Sequence, residues 1–243
     1  MHRAKRAIIM AAGLGNRMRP LTLETPKPLV MVNGKRMIDT VIDGLHEQGI
    51  TEIYIVIGHL KERFYELQES YPDVVLIENP YFDQCNNISS LYVAREQLSD
   101  VIILDGDQMI YDSEILRPEF EHSGYCCSWT EEQTDEWLMQ VENGIVTSCS
   151  RNGGKKGYQL YSVSLWSAED GARLRNHLEQ EFEVKRNRDI YWDAVAMFCY
   201  PGEYQLGIRE IPKGALTEID SLEELAAIDQ SYQKYLEKRS EDE

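Results

Sequence analysis

The sequence has no run of eighteen apolar residues, so no segment of it is expected to span a membrane. Its five cysteines (Cys85, Cys126, Cys127, Cys149 and Cys199) are odd in number and show no C-x-x-C spacing. That argues against a disulfide framework or a zinc site and leaves buried free thiols as the expectation. Basic residues are scarce, 25 Lys and Arg against 42 Asp and Glu, for a formal net charge of −17. Nucleic acid is therefore a poor partner, because phosphate backbones are held mainly by Lys and Arg. No secretory leader is expected either: in "MHRAKRAIIMAAG" a short apolar stretch runs straight into glycine. A cytoplasmic protein without a membrane partner is the resulting expectation.

The few cations are concentrated. Residues 1–36 carry eight Lys and Arg and a single acid, Glu24, which leaves −24 on the remaining 207 residues. A local cationic site on an acidic body suits a small polyanion better than a polymer. At 243 residues and 42% hydrophobic content the chain can bury a full core. One domain is expected over 1–243, with 1–112 as a nucleotide-binding half and 113–243 as an acceptor-binding half ending in a helix. A monomer or homodimer is expected.

Periodicity gives the order of elements. Arg6–Ala12, Thr51–His59, "DVVLIENP" and "DVIILDGDQMIY" read as strands. "KRMIDTVIDGLHEQG", "LKERFYELQESY" and "NNISSLYVAREQL" read as the helices between them. This alternation predicts an α/β fold with a doubly wound, mostly parallel, Rossmann-like sheet. Ligands bind such sheets at the carboxyl ends of the strands, where the loop after the first strand and Asp105-Gly106-Asp107 both fall. The second half predicts a smaller antiparallel β subregion, with Asn143-Gly144 as a hairpin turn. "AEDGARLRNHLEQEFE" and "DIYWDAVAMFCY" read as helices, and a final helix begins at Ser221 with Glu224 completing a capping box.

The loop "MAAGLGNRMRPLTLETPKPLV" has the chemistry of a triphosphate cradle. Gly13 and Gly15 let backbone N–H groups approach a phosphate, Arg17 and Arg19 supply forked donors, and Lys27 supplies a mobile charge. The dinucleotide fingerprint fails at Met18, and no P-loop string follows either glycine. On its own, G-x-G after a strand describes a tight turn equally well.

The longer string G-x-G-x-R-x-x-P-x-T-x-x-x-P-K-P-L, from Gly13 to Leu29, resembles the signature of nucleotidyltransferases that make NDP-sugars and CDP-alcohols. Within these it is most similar to the bacterial CTP:phosphocholine cytidylyltransferases. "NNISSLYVA", "DGDQMIY", "DEWLMQV", "IYWDAVA" and "TEIDSLEEL" resemble their later motifs in the same order, so the resemblance spans nearly the whole chain. It implies the nucleotidyltransferase (GT-A-like) fold. It also implies that Arg17 and Lys27 act on the nucleotide phosphates and that Asp107 and Asp220 hold Mg²⁺, a hard cation that takes carboxylate oxygens beside phosphates and water. Alternatively, Asp107 caps a strand end and Asp220 supplies helix N-terminal charge.

Ala11, Ala12, Gly13, Gly15, Asn86, Asn87 and Asp105 are the candidate nucleotide contacts, with backbone groups and side-chain amides reading a pyrimidine edge. Asn86 and Asn87 could instead cap the helix that they precede. Aromatics stand beside acids at Trp129 and Trp137 and at Tyr191-Trp192-Asp193. A quaternary ammonium is held by aromatic faces and diffuse negative charge, so Trp137, Tyr191, Trp192 and Asp193 are expected to bind the acceptor. They could equally be core aromatics, and Trp166 could be wall or core.

The expected reaction is transfer of CMP from CTP to phosphocholine, giving CDP-choline and pyrophosphate. A phosphorylated amino-alcohol of this kind is the expected partner, with phosphoethanolamine, 2-aminoethylphosphonate or a sugar 1-phosphate as alternatives. A non-catalytic nucleotide sensor would have no use for the metal pair.

Overall fold

The computed structural model describes residues 1–242. The first half alternates β1 (Arg6–Ala11), α1 (Met37–Glu47), β2 (Glu52–Ile57), β3 (Val74–Glu78), α2 (Ile88–Val93) and β4 (Val101–Asp105). These four strands are parallel and lie in the order β4-β1-β2-β3, with Ile8 registered against both Tyr54 and Ile103. The chain leaves β1 to one side first and returns to its other side with β4. The crevice at this reversal opens beyond the carboxyl ends of β1 and β4. β1 reads as an unbroken apolar run because both its faces are covered. Ala7, Ile9 and Ala11 pack with Ile38, Val41 and Leu45 of α1, whereas Ile8 and Met10 pack with Ile88 and Leu91 of α2.

The second half supplies β5 (Gln108–Ile110), β6 (Gly124–Thr130), β7 (Leu138–Glu142), β8 (Ile145–Ser150), β9 (Gly157–Trp166), α3 (Ala168–Glu179), β10 (Gly207–Glu210), β11 (Leu216–Glu218) and α4 (Leu222–Ile228). It is not a separate layer. The end of β9 pairs antiparallel with β4 (Val163↔Leu104 to Trp166↔Val101), while its start pairs with β7 (Gln159↔Leu138). β6 joins β9 and β10, and β10 touches β8, so five strands curl into a ring continuous with the parallel sheet. Asn143 and Gly144 turn the β7–β8 hairpin with φ of 52° and 79°, the positive pair that a two-residue hairpin turn demands.

Several elements differ from the sequence expectation for local reasons. "LKERFYELQESY" is mainly a 3₁₀ helix, Lys61–Glu66, with one α turn after it. Its buried residues, Phe64 and Leu67, are three apart, a spacing that eclipses on a three-residue turn. "DVIILDGDQMIY" is two strands, because β5 leaves β4 at Gly106 to pair with β11. "DIYWDAVAMFCY" is helical only over 193–199, most of it a wide π turn at Val195–Cys199. The capping box at Ser221 and Glu224 forms, but the final helix breaks at Asp229. The Asp229 carboxylate accepts from Asn33 N at 2.8 Å and from Ser231 N at 3.0 Å, bonds that draw it out of helical geometry.

Candidate active site

The loop after β1 is fixed by its own side chains. Thr22 Oγ1 donates to Gly15 O at 2.8 Å, and His59 Nε2 lies 2.7 Å from Thr22 O. Gly15 has φ of +61°, and a Cβ there would meet Thr22 Cγ2 at 2.8 Å. Gly13 has nothing within 4 Å of its Cβ position, so a side chain at Gly13 would project only into the crevice. Glycine is thus required by the protein at Gly15, whereas at Gly13 it serves only to keep the crevice open.

Pro26 leads into a short turn, Lys27–Leu29, that buries the Lys27 stem. Its Nζ lies 2.5 Å from Asp107 Oδ2 and 2.7 Å from Asp220 Oδ1, and Arg17 Nη2 reaches the same Asp220 oxygen at 3.0 Å. The β5–β11 ladder explains how such distant acids meet. It registers Gln108 against Glu218, and Ile219 N donates to Asp107 O at 3.3 Å, so Asp107 and Asp220 emerge side by side. Burial alone would lower the pKa of the Lys27 ammonium, but the two carboxylates outweigh it and raise it above the usual lysine value. Burial pushes Asp220 up, yet Lys27 and Arg17 together leave it below the usual carboxylate range. Arg17 is largely exposed, so its ion pair contributes little and the guanidinium is free to exchange Asp220 for a phosphate. Two partly exposed carboxylates converging on one point also suit a hard divalent cation that completes its shell with phosphate and water.

Three hollows meet here, and Asp107 lines all of them. The first, about 290 Å³, is walled by Ala11, Gly13, Gly15, Arg17, Lys27 and Asp220. The second, about 340 Å³, is walled by Ala12, Gly13, Phe82, Asn86, Asn87 and Asp105, among others. Ala11 therefore lies with Arg17 and Lys27 in the first hollow, while the remaining predicted nucleotide contacts share the second. Asn87 makes no side-chain cap to α2; its Oδ1 accepts from Trp192 N at 2.9 Å and ties the two walls together. Asn86 Oδ1 accepts from Asn87 N at 2.7 Å.

The third hollow, about 610 Å³, contains Trp137, Tyr191 and Asp193 as expected. Trp192 is not part of it. Its side chain is 4% exposed and packs near Tyr125 and Trp166, ring centroids 6.2 and 6.1 Å apart, inside the apolar core. Neighbouring side chains on an irregular segment diverge, so Tyr191 faces the pocket and Trp192 the core. Trp166 is core as well, fully buried. Trp137 and Tyr191 meet edge to face at 6.0 Å on the rim.

The floor is acidic. Glu218, which the sequence reading did not single out, lies there with Asp105 and Asp193. Its Oε1 accepts from Gln108 Nε2 at 2.8 Å and from Ser162 N at 3.1 Å. Each of the three acids keeps a partly exposed edge but is otherwise enclosed by protein. Burial pushes Asp193 and Glu218 up to about 7. Burial, then Asp107, Glu218 and Asp193, drive Asp105 well above the carboxylate range. Tyr125 Oη and Asp193 Oδ1 are buried without a well-formed hydrogen bond, although the two groups are close enough to shift each other's titration. Such a cluster is a poor place for three negative charges until a cation joins them. Glu218 was legible in principle, since on a strand it shares a face with Asp220 two residues on.

Residues 7–182 match the family model described as a MobA-like NTP transferase domain. A 2-aminoethylphosphonate cytidylyltransferase of Lancefieldella rimae is 38% identical over 93% of this chain and 92% of its own. A choline-phosphate cytidylyltransferase of Streptococcus pneumoniae is 33% identical over 93% of this chain and 97% of its own. The solved structure of the CTP:phosphocholine cytidylyltransferase of Streptococcus pneumoniae superposes with a TM-score of 0.87 at 33% identity, covering 94% of this chain and 99% of that one.

Proposed function

Because the chain belongs to the family of MobA-like NTP transferase domains, we propose that it transfers CMP from CTP to a small phosphonate or phosphate bearing a primary ammonium, with 2-aminoethylphosphonate foremost. It is a nucleotidyltransferase, and its full-length relatives named above are cytidylyltransferases. The observation that carries the choice of acceptor is the acid floor of Asp105, Asp193 and Glu218. A primary ammonium donates hydrogen bonds to carboxylates and supplies the charge that this floor needs, whereas a trimethylammonium donates none.

With the ammonium seated on that floor, the anionic end of the acceptor points towards Asp107, where the three hollows meet. One of its oxygens attacks the α-phosphorus of CTP, the new P–O bond forms opposite the bond to pyrophosphate, and pyrophosphate leaves with that electron pair. The attacking oxygen is already ionised near neutral pH, so no general base is needed. Lys27 and Arg17 neutralise charge that moves to the leaving group, and the rigid loop orients the phosphates. We further propose Asp107 and Asp220 as holders of Mg²⁺, which when bound would offset phosphate charge.

Phosphocholine is the second reading, favoured by the Trp137–Tyr191 edge pair on the pocket rim. Pyrophosphate release should be measured with each of four NTPs against 2-aminoethylphosphonate, phosphoethanolamine, phosphocholine and glucose 1-phosphate. CTP with a primary-amine acceptor is expected to give the highest kcat/KM. Preference for phosphocholine would install the second reading, and preference for the sugar phosphate would overturn both.

A further inference from the structure

Arg151 is an unusual lining residue for an acceptor pocket walled by eight carboxylates: Asp105, Asp107, Asp135, Glu136, Asp189, Asp193, Glu218 and Asp220. Among the described residues it ion-pairs with none of them. Its guanidinium instead lies over two rings, with Cζ 3.9 Å from the Phe198 centroid and 5.7 Å from that of Trp137. Those rings meet edge to face at 5.3 Å. The loop that carries Arg151 is also held in place. Thr134 and Gly154 exchange backbone bonds of 2.9 Å, Ser150 Oγ donates to Gly153 O at 2.7 Å, and a Cβ on Gly153 would strike Thr134 O.

Ring faces are the surface that a quaternary ammonium needs, since it has no N–H to donate. We propose that Arg151 is a specificity-determining residue: its guanidinium covers the faces of Trp137 and Phe198 and so discriminates against quaternary ammonium acceptors. A primary ammonium, bound through hydrogen bonds to the acid floor, does not use those faces and is not excluded. This rests on the proposed reading of the pocket as an amine-acceptor site.

The test is kcat/KM for phosphocholine and for 2-aminoethylphosphonate in wild type, Arg151→Ala, Arg151→Lys and Arg151→Ala with Trp137→Leu, by pyrophosphate release. Arg151→Ala should move the ratio towards phosphocholine by about tenfold, the value of a well-placed cation–π contact. Arg151→Lys, which keeps a cation able to sit on the rings, should move it much less. Adding Trp137→Leu should cancel most of the gain, because the uncovered face is lost again. A ratio that stays within about twofold of wild type overturns the proposal. So does an equal loss with both acceptors through acceptor KM, which would make Arg151 an anion-binding group. A wild type inactive with every amine acceptor overturns the functional reading and this inference with it; an active wild type with an unmoved ratio overturns this inference alone.

Discussion

Gln108 and Glu218 are register partners across β5 and β11, and their side chains repeat the pairing, with Gln108 Nε2 donating to Glu218 Oε1 at 2.8 Å. The pair sits one residue after Asp107 and two before Asp220. The same short ladder therefore fixes a pocket acid and the two carboxylates that flank Lys27.

The two loop glycines should fail in different ways. Gly15→Ala places a methyl group against Thr22 at a φ of +61°, and should cost about 1–2 kcal/mol of stability. Gly13→Ala meets no protein atom, so its melting temperature should match wild type while KM for CTP rises. Thermal melts and CTP titrations of the pair check this; a destabilised Gly13→Ala would contradict it.

Lys27→Ala should lower kcat by roughly a hundredfold or more and raise KM for CTP only modestly, because charge migrates to pyrophosphate in the transition state. Steady-state pyrophosphate release separates the two parameters. An unchanged kcat with a raised KM would reduce Lys27 to ground-state binding.

Asp107→Asn and Asp220→Asn should each shift the Mg²⁺ activation midpoint upward by about tenfold or more, with circular dichroism unchanged. Near-normal activity at ordinary Mg²⁺ in either variant would remove that residue from the proposed metal pair. Loss of the Lys27 contact alone would lower kcat without moving the midpoint.

Asp193 links pocket chemistry to stability. Its pKa is about 7 in the folded chain against 3.8 for an unperturbed group, so between those values the folded state holds a proton that the unfolded chain has released. Stability falls as pH rises through that window, and the cost is complete above about 7. Asp193→Asn should therefore raise stability at pH 8 by roughly 1–4 kcal/mol, with the gain vanishing near pH 4. The same substitution should raise acceptor KM, and wild-type acceptor KM should climb as pH drops below about 7 as the carboxylate protonates. Denaturant melts and acceptor KM at pH 4–8 test both halves.

Trp137→Leu and Trp192→Leu should part company. Trp137→Leu should leave melting and the primary-amine acceptor KM nearly unchanged and, once Arg151→Ala has uncovered the ring, raise phosphocholine KM by about tenfold. Trp192→Leu, in the core, should cost about 2–4 kcal/mol and show no preference among substrates. A selective acceptor defect in folded Trp192→Leu would return it to the pocket.

The α/β order was legible because β1, β2 and β4 are buried on both faces, and such strands announce themselves as apolar runs. That the loop after β1 gathers one wall of a crevice was legible because Gly13, Gly15, Arg17 and Lys27 lie close together in sequence. Glu218 left only the faint signal of its two-residue spacing from Asp220, since its place depends on a strand pairing across 110 positions. Arg151 left none, since its place depends on where a loop rests. Trp192 misled because adjacency to Tyr191 says nothing of direction on an irregular segment. The break in the C-terminal helix was hidden because Asn33, distant in sequence, competes for Asp229; beyond the break the helix resumes over Gln233–Asp242.

β9 spends its last residues on β4 and its first on β7, so one unbroken strand belongs to both halves of the molecule. The gap between the nucleotide and acceptor hollows proposed above is therefore spanned by a fixed count of peptide units. Under that proposal the strand is a ruler between the reactants, and its length does not depend on the hairpin tips around the ring.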